Sequence, residues 1–246
     1  MMIPIRLYPA LVYFFFFMLW VALCSIPVYL FKLLGARRLE KALIHLVAHN
    51  WGRQFSLLVG ARVTVKGLEY VPMDAERLCV ICNHQSLFDI LVVLGWYPRT
   101  VGFIAKREII AMPVINFWLK IMGSVFIDRR NIRKAAMAIE KGIESIKRGN
   151  PVLIFPEGTR SRSAKMGPLK PGALKLATRS KAVISPVTVD GTFRLLEEHG
   201  QFRPAAVSMT IHPPIDTAVL GEEERKKLPE RLAAVLASAL PAQAAE

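Results

Sequence analysis

The fold is decided by the stretch Leu78-Cys79-Val80-Ile81-Cys82-Asn83-His84-Gln85-Ser86-Leu87-Phe88-Asp89, which changes from apolar to polar residues at Asn83. Five apolar residues that end in a polar turn predict a strand buried on both faces. The apolar run Ile90 to Leu94 follows and predicts a helix. Strand and helix patterns continue to alternate from Arg62 to Ala239, with seven strands and five helices. The sequence therefore predicts an α/β fold with a largely parallel mixed sheet, covered by helices on both faces.

Chemistry is indicated first by His84 and Asp89, which lie five positions apart. In one continuous helix this spacing turns the two side chains about 140° away from each other. We therefore expect His84 in a turn after the strand and Asp89 in the first turn of the helix. Histidine exchanges a proton near neutral pH, and a carboxylate can orient the imidazole as a general base. The other interpretation is structural, because Ser86 to Asp89 also has the pattern of a helix capping box.

A second polar loop, Pro156-Glu157-Gly158-Thr159-Arg160-Ser161, follows the strand pattern Val152 to Phe155. Glycine lets a backbone approach a ligand closely, and arginine binds phosphate oxygens through two parallel hydrogen bonds. The sequence from Gly158 to Val189 contains seven basic residues and no acidic one. This imbalance favours an anion-binding site, with an ordinary exposed basic loop as the alternative.

A third strand pattern, Ser124 to Ile127, also ends in charged residues, Asp128-Arg129. In α/β sheets, ligands bind at the carboxyl ends of the strands. Three predicted strand ends carry His84, Arg129 and Arg160. We therefore expect these side chains to contribute to one site.

With these motifs the chain resembles the 1-acylglycerol-3-phosphate acyltransferases of the glycerolipid acyltransferase superfamily. Four sequence blocks of that family occur in order between Leu78 and Val189. They are Asn83 to Asp89, Gly123 to Arg129, Phe155 to Ser161, and Ile184-Ser185-Pro186-Val187. One block alone is unspecific, whereas four blocks in the family's order are specific.

The resemblance implies transfer of an acyl group from a thioester to the sn-2 hydroxyl of 1-acyl-sn-glycerol 3-phosphate, which gives phosphatidic acid. It implies that His84 is the general base and that Asp89 orients it. The residues implied to bind the phosphorylated acceptor are Lys106, Arg129, Glu157, Gly158, Thr159 and Arg160. The implied donor is an acyl carrier protein or coenzyme A thioester, without a cofactor. No metal site is expected, because no histidine has a spacing partner suited to ligation.

Composition favours a membrane-associated enzyme with anionic partners. The chain has 246 residues, of which 53% are hydrophobic, and a formal net charge of +14. This charge favours phospholipid head groups, phosphorylated substrates or an acidic carrier protein. Nucleic acid is not an expected partner, because no nucleic-acid module is recognisable and the aromatic residues cluster in the N-terminal apolar run.

Residues 1–60 are predicted to form a helical hairpin that anchors an acyltransferase domain, residues 61–246, to a membrane. The first arm, Leu7 to Phe31, has no charged residue and is long enough to span a bilayer. The second arm, Ala36 to Val59, is amphipathic. We expect shallow insertion into the inner or equivalent cytoplasmic membrane, with the catalytic domain facing the cytoplasm. The alternative is a signal peptide cleaved near Ala22-Leu23-Cys24, but the apolar run continues beyond that point to Phe31.

The segment Glu108 to Met122 is predicted to be one helix that is apolar on most sides. Such a helix belongs to a core, lines an acyl-chain tunnel or touches the bilayer.

Three alternatives for the function remain open. The acceptor is glycerol 3-phosphate or another lysolipid such as lyso-ornithine lipid, the protein is a hydrolase with Ser86 or Ser161 as nucleophile, or it is a scaffold that binds anionic lipid. Neither serine lies in a G-x-S-x-G turn.

Overall fold

The computed structural model describes residues 8–128 and 132–241. Two helices come first, α1 (Tyr8–Leu33) and α2 (Arg37–Leu58). The strands are β1 (Ala61–Lys66), β2 (Leu78–Cys82), β3 (Gly102–Lys106), β4 (Val125–Ile127), β5 (Val152–Ile154), β6 (Val183–Asp190), β7 (Ala205–Ile211) and β8 (Ile215–Asp216). The remaining helices are α3 (Asp89–Trp96), α4 (Pro113–Ile121), α5 (Ile132–Lys147), α6 (Pro171–Ser180) and α7 (Glu222–Ala237).

The described strands form one sheet in the order β1, β7, β6, β2, β5, β3, β4, and β8 pairs with β6 beside this path. The central strand β2 is parallel to β6 on one side and to β5 on the other. β3 is parallel to β5 and β4, and β1 is parallel to β7. Among the described strands, antiparallel pairing is confined to β6 with β7 and β8. The predicted α/β class with a largely parallel mixed sheet is confirmed.

The strand β2 is buried along its whole length because helices cover both faces of the sheet. Leu78, Val80 and Cys82 belong to the core that α2, α3 and α4 cover. Cys79 and Ile81 belong to the opposite core, which α5, α6 and α7 cover. Successive side chains of a strand point to opposite faces, so a strand covered on both sides needs an apolar residue at each position. This requirement explains the uninterrupted apolar run.

The first helix exposes a continuous apolar surface. Its segment Phe15–Leu33 is long and apolar enough to cross a membrane, with a mean hydropathy of 1.9. Phe15, Phe16 and Leu33 have 65%, 61% and 67% of their surface exposed. An exposed apolar surface of this extent marks contact with lipid or with another protein.

The second helix, α2, packs against α3. Its residues Ile44 and Val47 belong to the same hydrophobic core as one face of β2. The two helices approach so closely at Gly52 that a Cβ atom there would lie 2.3 Å from the backbone nitrogen of Gly95. The chain turns into β1 near Gly60, the predicted domain boundary, but the hydrophobic core continues across this point.

The prediction of a single helix from Glu108 to Met122 is wrong in its first part. A 3-10 segment, Arg107–Ala111, comes first, and α4 begins only at Pro113. Met112, between them, is extended, with φ −103° and ψ 94°. The proline ring disfavours the helical conformation in the residue before it, and proline itself suits the first position of a helix. The short strand β8 is a further element that the sequence does not predict.

Candidate active site

The turn that carries His84 is fixed to the neighbouring strand β6 by two side-chain amides. The Asn83 side chain donates to the Val189 carbonyl at 2.9 Å and accepts the Val189 N–H at 2.8 Å. The Gln85 side-chain carbonyl accepts the N–H of Gly191 at 2.9 Å. His84 is therefore held from both sides at the carboxyl end of β2, where α/β sheets bind their ligands.

His84 and Asp89 meet across this turn. Their Nδ1 and Oδ2 atoms lie 2.7 Å apart, the Asp89 side chain is fully buried, and that of His84 is 9% exposed. The backbone N–H of Ser86 donates to Oδ2 at 2.8 Å, and the Thr192 hydroxyl donates to Oδ1. Both carboxylate oxygens of Asp89 act as hydrogen-bond acceptors in these contacts. The imidazole of His84 is therefore the donor in the contact with Asp89, and its proton lies on Nδ1. The imidazole Nε2 then keeps its lone pair and can accept a proton.

Asp89 combines both interpretations of its spacing. Its carboxylate accepts the Ser86 N–H, which is the reach-back contact of a capping box, in the turn that leads into α3; the cap residue of α3 itself, Phe88, has no side-chain hydrogen bond. The Ser86 hydroxyl, in turn, accepts the N–H of Phe88 at 3.2 Å. One carboxylate therefore stabilises the turn before α3 and orients the imidazole.

The aromatic ring of Phe155 supports the imidazole of His84 from one face. The two ring centroids are 3.9 Å apart, and the ring planes are inclined by 13°. Phe155 directly follows β5, the parallel neighbour of β2. The stacking on Phe155 and the hydrogen bond to Asp89 together restrict rotation about both side-chain torsion angles of His84, χ1 and χ2.

The carboxylate of Glu157 joins the two polar loops through their backbones. One oxygen accepts the N–H of His84 at 2.6 Å, and the other accepts the N–H of Gly167 at 2.7 Å. Burial raises the pKa of the Glu157 carboxyl above its ordinary value, and the two N–H donors oppose this shift. Glu157 therefore shapes the turn that carries His84, while its predicted contact with the acceptor stays a prediction.

Arg160 lies against the same turn and is held there by Glu197. Its Nη1 donates to a Glu197 oxygen at 3.2 Å. Glu197 also accepts the Ser86 hydroxyl at 2.7 Å and the Leu87 N–H at 3.2 Å. The Glu197 side chain is 8% exposed and that of Arg160 is 35% exposed. A guanidinium has five N–H donors, so this one bond leaves capacity for a phosphate group.

The loop that carries Arg160 is also bonded to the His84 turn through its backbone. The N–H of Ser161 donates to the His84 carbonyl at 2.8 Å, and the N–H of Arg162 donates to the Gln85 carbonyl at 3.0 Å. Gly158 in this loop has a φ of 71°, a conformation that glycine adopts without strain. Thr159 beside it is exposed.

One predicted site residue, Lys106, lies apart from this cluster. Lys106 ends β3, which is two strands and about 10 Å from β2. Its ammonium lies 3.3 Å from the Glu108 carboxylate, and both side chains are largely exposed. Arg129 lies outside the described residues. The structure therefore brings His84 and Asp89 together with Glu157, Gly158 and Arg160, whereas the roles predicted for Lys106 and Arg129 stay predictions.

Alternative nucleophiles are poorly placed for an acyl-enzyme mechanism. Burial raises the pKa of Cys79 to about 12 and that of Cys82 well above its ordinary value, so both thiols stay protonated at neutral pH. The hydroxyl of Ser86 donates to Glu197, and that of Ser161 donates to a backbone carbonyl at 3.0 Å. Within the described part of the chain, no serine or cysteine side chain is hydrogen-bonded to the His84 ring.

Sequence reasoning does not identify Thr192, Glu197 or Phe155 as site residues. Thr192 reaches its partner Asp89 across 103 positions, and Glu197 reaches Ser86 across 111. Local spacing carries no information about contacts at such separations. One signal was available, because Glu197 is among the first acidic residues after the basic stretch that begins at Gly158.

Comparison with known proteins shows the family. A sequence model of the acyltransferase family matches residues 62–190, a span that contains His84, Asp89, Glu157, Gly158 and Arg160. The chain belongs to the acyltransferase family. The resemblance inferred from the four sequence blocks is therefore confirmed.

Relatives of this acyltransferase-family chain include the 1-acyl-sn-glycerol-3-phosphate acyltransferase of Borreliella burgdorferi, with 32% identity over 70% of this chain and 68% of the relative. A chloroplastic 1-acyl-sn-glycerol-3-phosphate acyltransferase of Brassica napus is 30% identical over 79% of this chain. The chain spans only 58% of the length of that plant relative. The crystal structure of the 1-acyl-sn-glycerophosphate acyltransferase PlsC from Thermotoga maritima matches with 27% identity and a TM-score of 0.83, covering 98% of this chain and 96% of that one.

The contact between Thr192 and Asp89 gives a first testable prediction. We expect Thr192→Val to lower the stability of this acyltransferase-family protein, because the variant keeps the side-chain shape but leaves a buried carboxylate oxygen without its donor. Such a loss costs about 1–3 kcal/mol, or roughly 2–12 °C in Tm for a chain of this size. Thermal unfolding followed by circular dichroism measures the effect. Thr192→Ser retains the hydroxyl and is the control, and equal Tm values for the two variants would contradict the proposed contact.

Proposed function

We propose that the protein transfers an acyl group from a thioester to the sn-2 hydroxyl of 1-acyl-sn-glycerol 3-phosphate, giving phosphatidic acid. The observation that carries this proposal is the buried His84–Asp89 pair with Arg160 held beside the same turn. A general base next to an anion-binding group suits a substrate that combines a hydroxyl with a phosphate. The names of the relatives in Borreliella burgdorferi and Brassica napus support the same substrate.

In the proposed reaction, His84 acts as the general base through Nε2. As the acceptor hydroxyl attacks the thioester carbonyl, its proton passes to Nε2, and the thiolate of the donor leaves. Asp89 stabilises the resulting imidazolium through Nδ1–H, which is the bond already formed in the resting site. The protonated His84 then returns the proton to the leaving sulfur. The mechanism uses neither a metal nor a cofactor.

The phosphate of the acceptor is proposed to bind at the loop after β5. Arg160 supplies a guanidinium fork that suits phosphate oxygens, and Gly158 and Thr159 supply backbone and hydroxyl donors on the same loop. Lys106 and Arg129 are proposed to complete the charge at the neighbouring strand ends. Fixing the phosphate places the hydroxyl near Nε2, and such positioning is a large part of catalysis by many enzymes.

Membrane association is supported by the exposed apolar surface of α1. Its Phe15–Leu33 segment suits immersion in lipid, where the lysolipid acceptor also resides. We propose that the hairpin of α1 and α2 enters the inner or equivalent cytoplasmic membrane and that the catalytic part faces the cytoplasm. The formal net charge of +14 favours attraction to anionic head groups at that surface.

The proposed function is tested by acyl transfer from radiolabelled palmitoyl-coenzyme A and palmitoyl-carrier protein to lysophosphatidate, glycerol 3-phosphate and lyso-ornithine lipid. We expect lysophosphatidate to be the preferred acceptor and Arg160→Ala to raise its KM by about 10- to 100-fold, since a charged hydrogen bond to phosphate is worth about 1.5–3 kcal/mol. Product analysis by thin-layer chromatography identifies the acylated lipid.

The control for this measurement is Arg179→Ala. Arg179 belongs to the same basic stretch but is exposed on α6 and pairs with Glu140 on α5. It should leave the KM for lysophosphatidate unchanged. Preference for another acceptor, or an unchanged KM in the Arg160→Ala variant, would contradict the substrate or the phosphate role respectively. If neither donor acylates any of the three acceptors, the alternative of a scaffold that binds anionic lipid would replace the proposed enzyme.

A further inference from the structure

A second concave surface, which we call the β4 groove, lies at the edge of the sheet away from the His84 cluster. Its volume is about 760 Å³. Its floor is the strand β4, which among the described strands pairs with β3 alone. One wall comes from α5 and the other from the segment before β4. The charged residues of the groove are Arg107, Lys120, Asp128, Lys134, Lys141 and Arg148.

The charge of the β4 groove is strongly positive. Five basic side chains and one acidic side chain give it a formal charge of +4. Asp128 interacts with Arg107 at 3.3 Å and with Lys134 at 3.9 Å. Lys120, Lys141 and Arg148 form no ion pair with any residue in the described ranges 8–128 and 132–241. A concave surface with this surplus concentrates anionic ligands.

Three of the basic residues of the groove lie on one face of α5 or directly after its end. Lys134 and Lys141 in α5 and Arg148 just beyond it recur at seven-residue intervals, so they line up over about 21 Å. The exposed side chains of Ile110 and Met137 supply apolar surface in the same groove. Apolar surface with a few well-placed polar groups, in a cleft of a few hundred Å³, is typical of sites for small molecules.

We propose that the β4 groove binds the phosphorylated nucleotide end of the acyl donor, a coenzyme A thioester. This inference rests on the proposed acyl transfer. The nucleotide carries a diphosphate and a 3′-phosphate, together about −4 in charge, which matches the charge of the groove.

The position of the groove fits a donor that reaches His84. Arg107 and Asp128 follow β3 and β4, so this end of the groove lies, like His84, at the carboxyl ends of the parallel strands. The strand β4 is three places from β2, about 14 Å away. The pantetheine arm between diphosphate and thioester is about as long as five extended residues, or about 17 Å, and spans this distance.

A smaller cavity lies on the path of this arm. It measures about 220 Å³ and is lined by Phe155, Gly158, Ile127 and Ala135 among others. Phe155 stacks on His84, whereas Ile127 and Ala135 are chain neighbours of the groove residues Asp128 and Lys134. In the proposed binding mode, the diphosphate of coenzyme A lies at the end of the β4 groove near Arg107. The 3′-phosphate lies nearer to Lys141 and Arg148.

The shape of the groove favours a nucleotide over an acidic carrier protein as the occupant. A specific protein partner covers about 800 Å² of a fairly flat surface on each side. The charges of the β4 groove instead line a cleft between two walls, at a volume that suits one small molecule. The experiment must still separate these two donors, because both carry the same phosphopantetheine arm.

The test uses the double variant Lys141→Ala/Arg148→Ala in the full-length protein. We expect the KM for palmitoyl-coenzyme A to rise at least about tenfold, because two charged contacts to the 3′-phosphate are removed. The kcat and the KM for lysophosphatidate should stay unchanged. Palmitoyl-3′-dephospho-coenzyme A should have a raised KM with the wild type and should respond little to the double variant. Isothermal titration should show that adenosine 3′,5′-bisphosphate binds the wild type and binds the variant more weakly.

The matched control is Lys147→Ala, which removes an exposed lysine of α5 that lies outside the groove and pairs with Glu144. Its KM values should equal those of the wild type. An unchanged KM for palmitoyl-coenzyme A in the double variant, or an equal rise for both coenzyme A thioesters, overturns the proposal. A rise confined to palmitoyl-carrier protein also overturns it. If the wild type transfers no acyl group, the proposed function is wrong, while nucleotide binding by titration still decides whether the groove is a nucleotide site.

Discussion

Replacing His84 by alanine is expected to lower kcat for acyl transfer by about 10²- to 10⁴-fold, the usual contribution of a general base. The physical reason is that the alanine variant has no group at this position that can take the proton from the attacking hydroxyl. Asp89 is fully buried behind the ring and cannot replace it. The KM for lysophosphatidate should change little, since Arg160 and its loop remain in place. Initial rates with saturating acceptor and donor measure the effect.

The fold of this variant should persist, because the backbone N–H and carbonyl of His84 keep their bonds to Glu157 and Ser161. Circular dichroism and Tm check this point. The matched control is His199→Ala, which removes an exposed histidine paired with Glu198 and should retain full activity. A His84→Ala variant that keeps more than about a tenth of the wild-type kcat would refute the general-base role.

Replacing Gly52 by alanine is expected to destabilise the protein by about 3 kcal/mol, which lowers Tm by roughly 6–12 °C. The added Cβ would lie 2.3 Å from the Gly95 nitrogen and 2.5 Å from the Leu91 carbonyl oxygen. Both atoms belong to the backbone of α3, so no side chain can rotate to make room. The helices α2 and α3 must separate, and the core between them opens. Thermal unfolding of the detergent-solubilised protein measures the loss.

Gly172→Ala is the control for this prediction. Gly172 lies in the first turn of α6, and a Cβ atom there would meet nothing within 4 Å. Alanine favours the helical conformation more than glycine does, so this variant should be as stable as the wild type or slightly more stable. If Gly52→Ala unfolds at the same temperature as Gly172→Ala, the close approach of α2 and α3 is not present in solution.

Local sequence patterns predict the parts of the fold that depend on neighbours in the chain. The apolar run Leu78 to Cys82 predicts the buried central strand, and the spacing of His84 and Asp89 predicts a strand, a turn and a helix start, in agreement with the structure. The likeness to the Thermotoga maritima structure confirms the fold class. Family motifs locate Glu157 and Arg160 on one loop because that loop is continuous in sequence.

The sequence predicts less where contacts join distant segments. Thr192 and Glu197 reach the His84 turn only because β6 lies beside β2 in the sheet, and strand order is not encoded in the spacing of either residue. The close contact of Gly52 with Gly95 has the same origin. The helix start at Pro113 is a local effect and could have been predicted from the sequence. It was missed because the apolar pattern from Glu108 to Met122 favours one continuous helix.

The packing of α2 on α3 has a mechanical consequence. Asp89 is the first residue of α3, and α3 packs on α2 at Gly52 and Gly95, where the two backbones are too close to admit a Cβ atom. The helix α2 is therefore coupled to the His84–Asp89 pair by direct packing. A change in the tilt of α2 is expected to displace the imidazole of His84 as well.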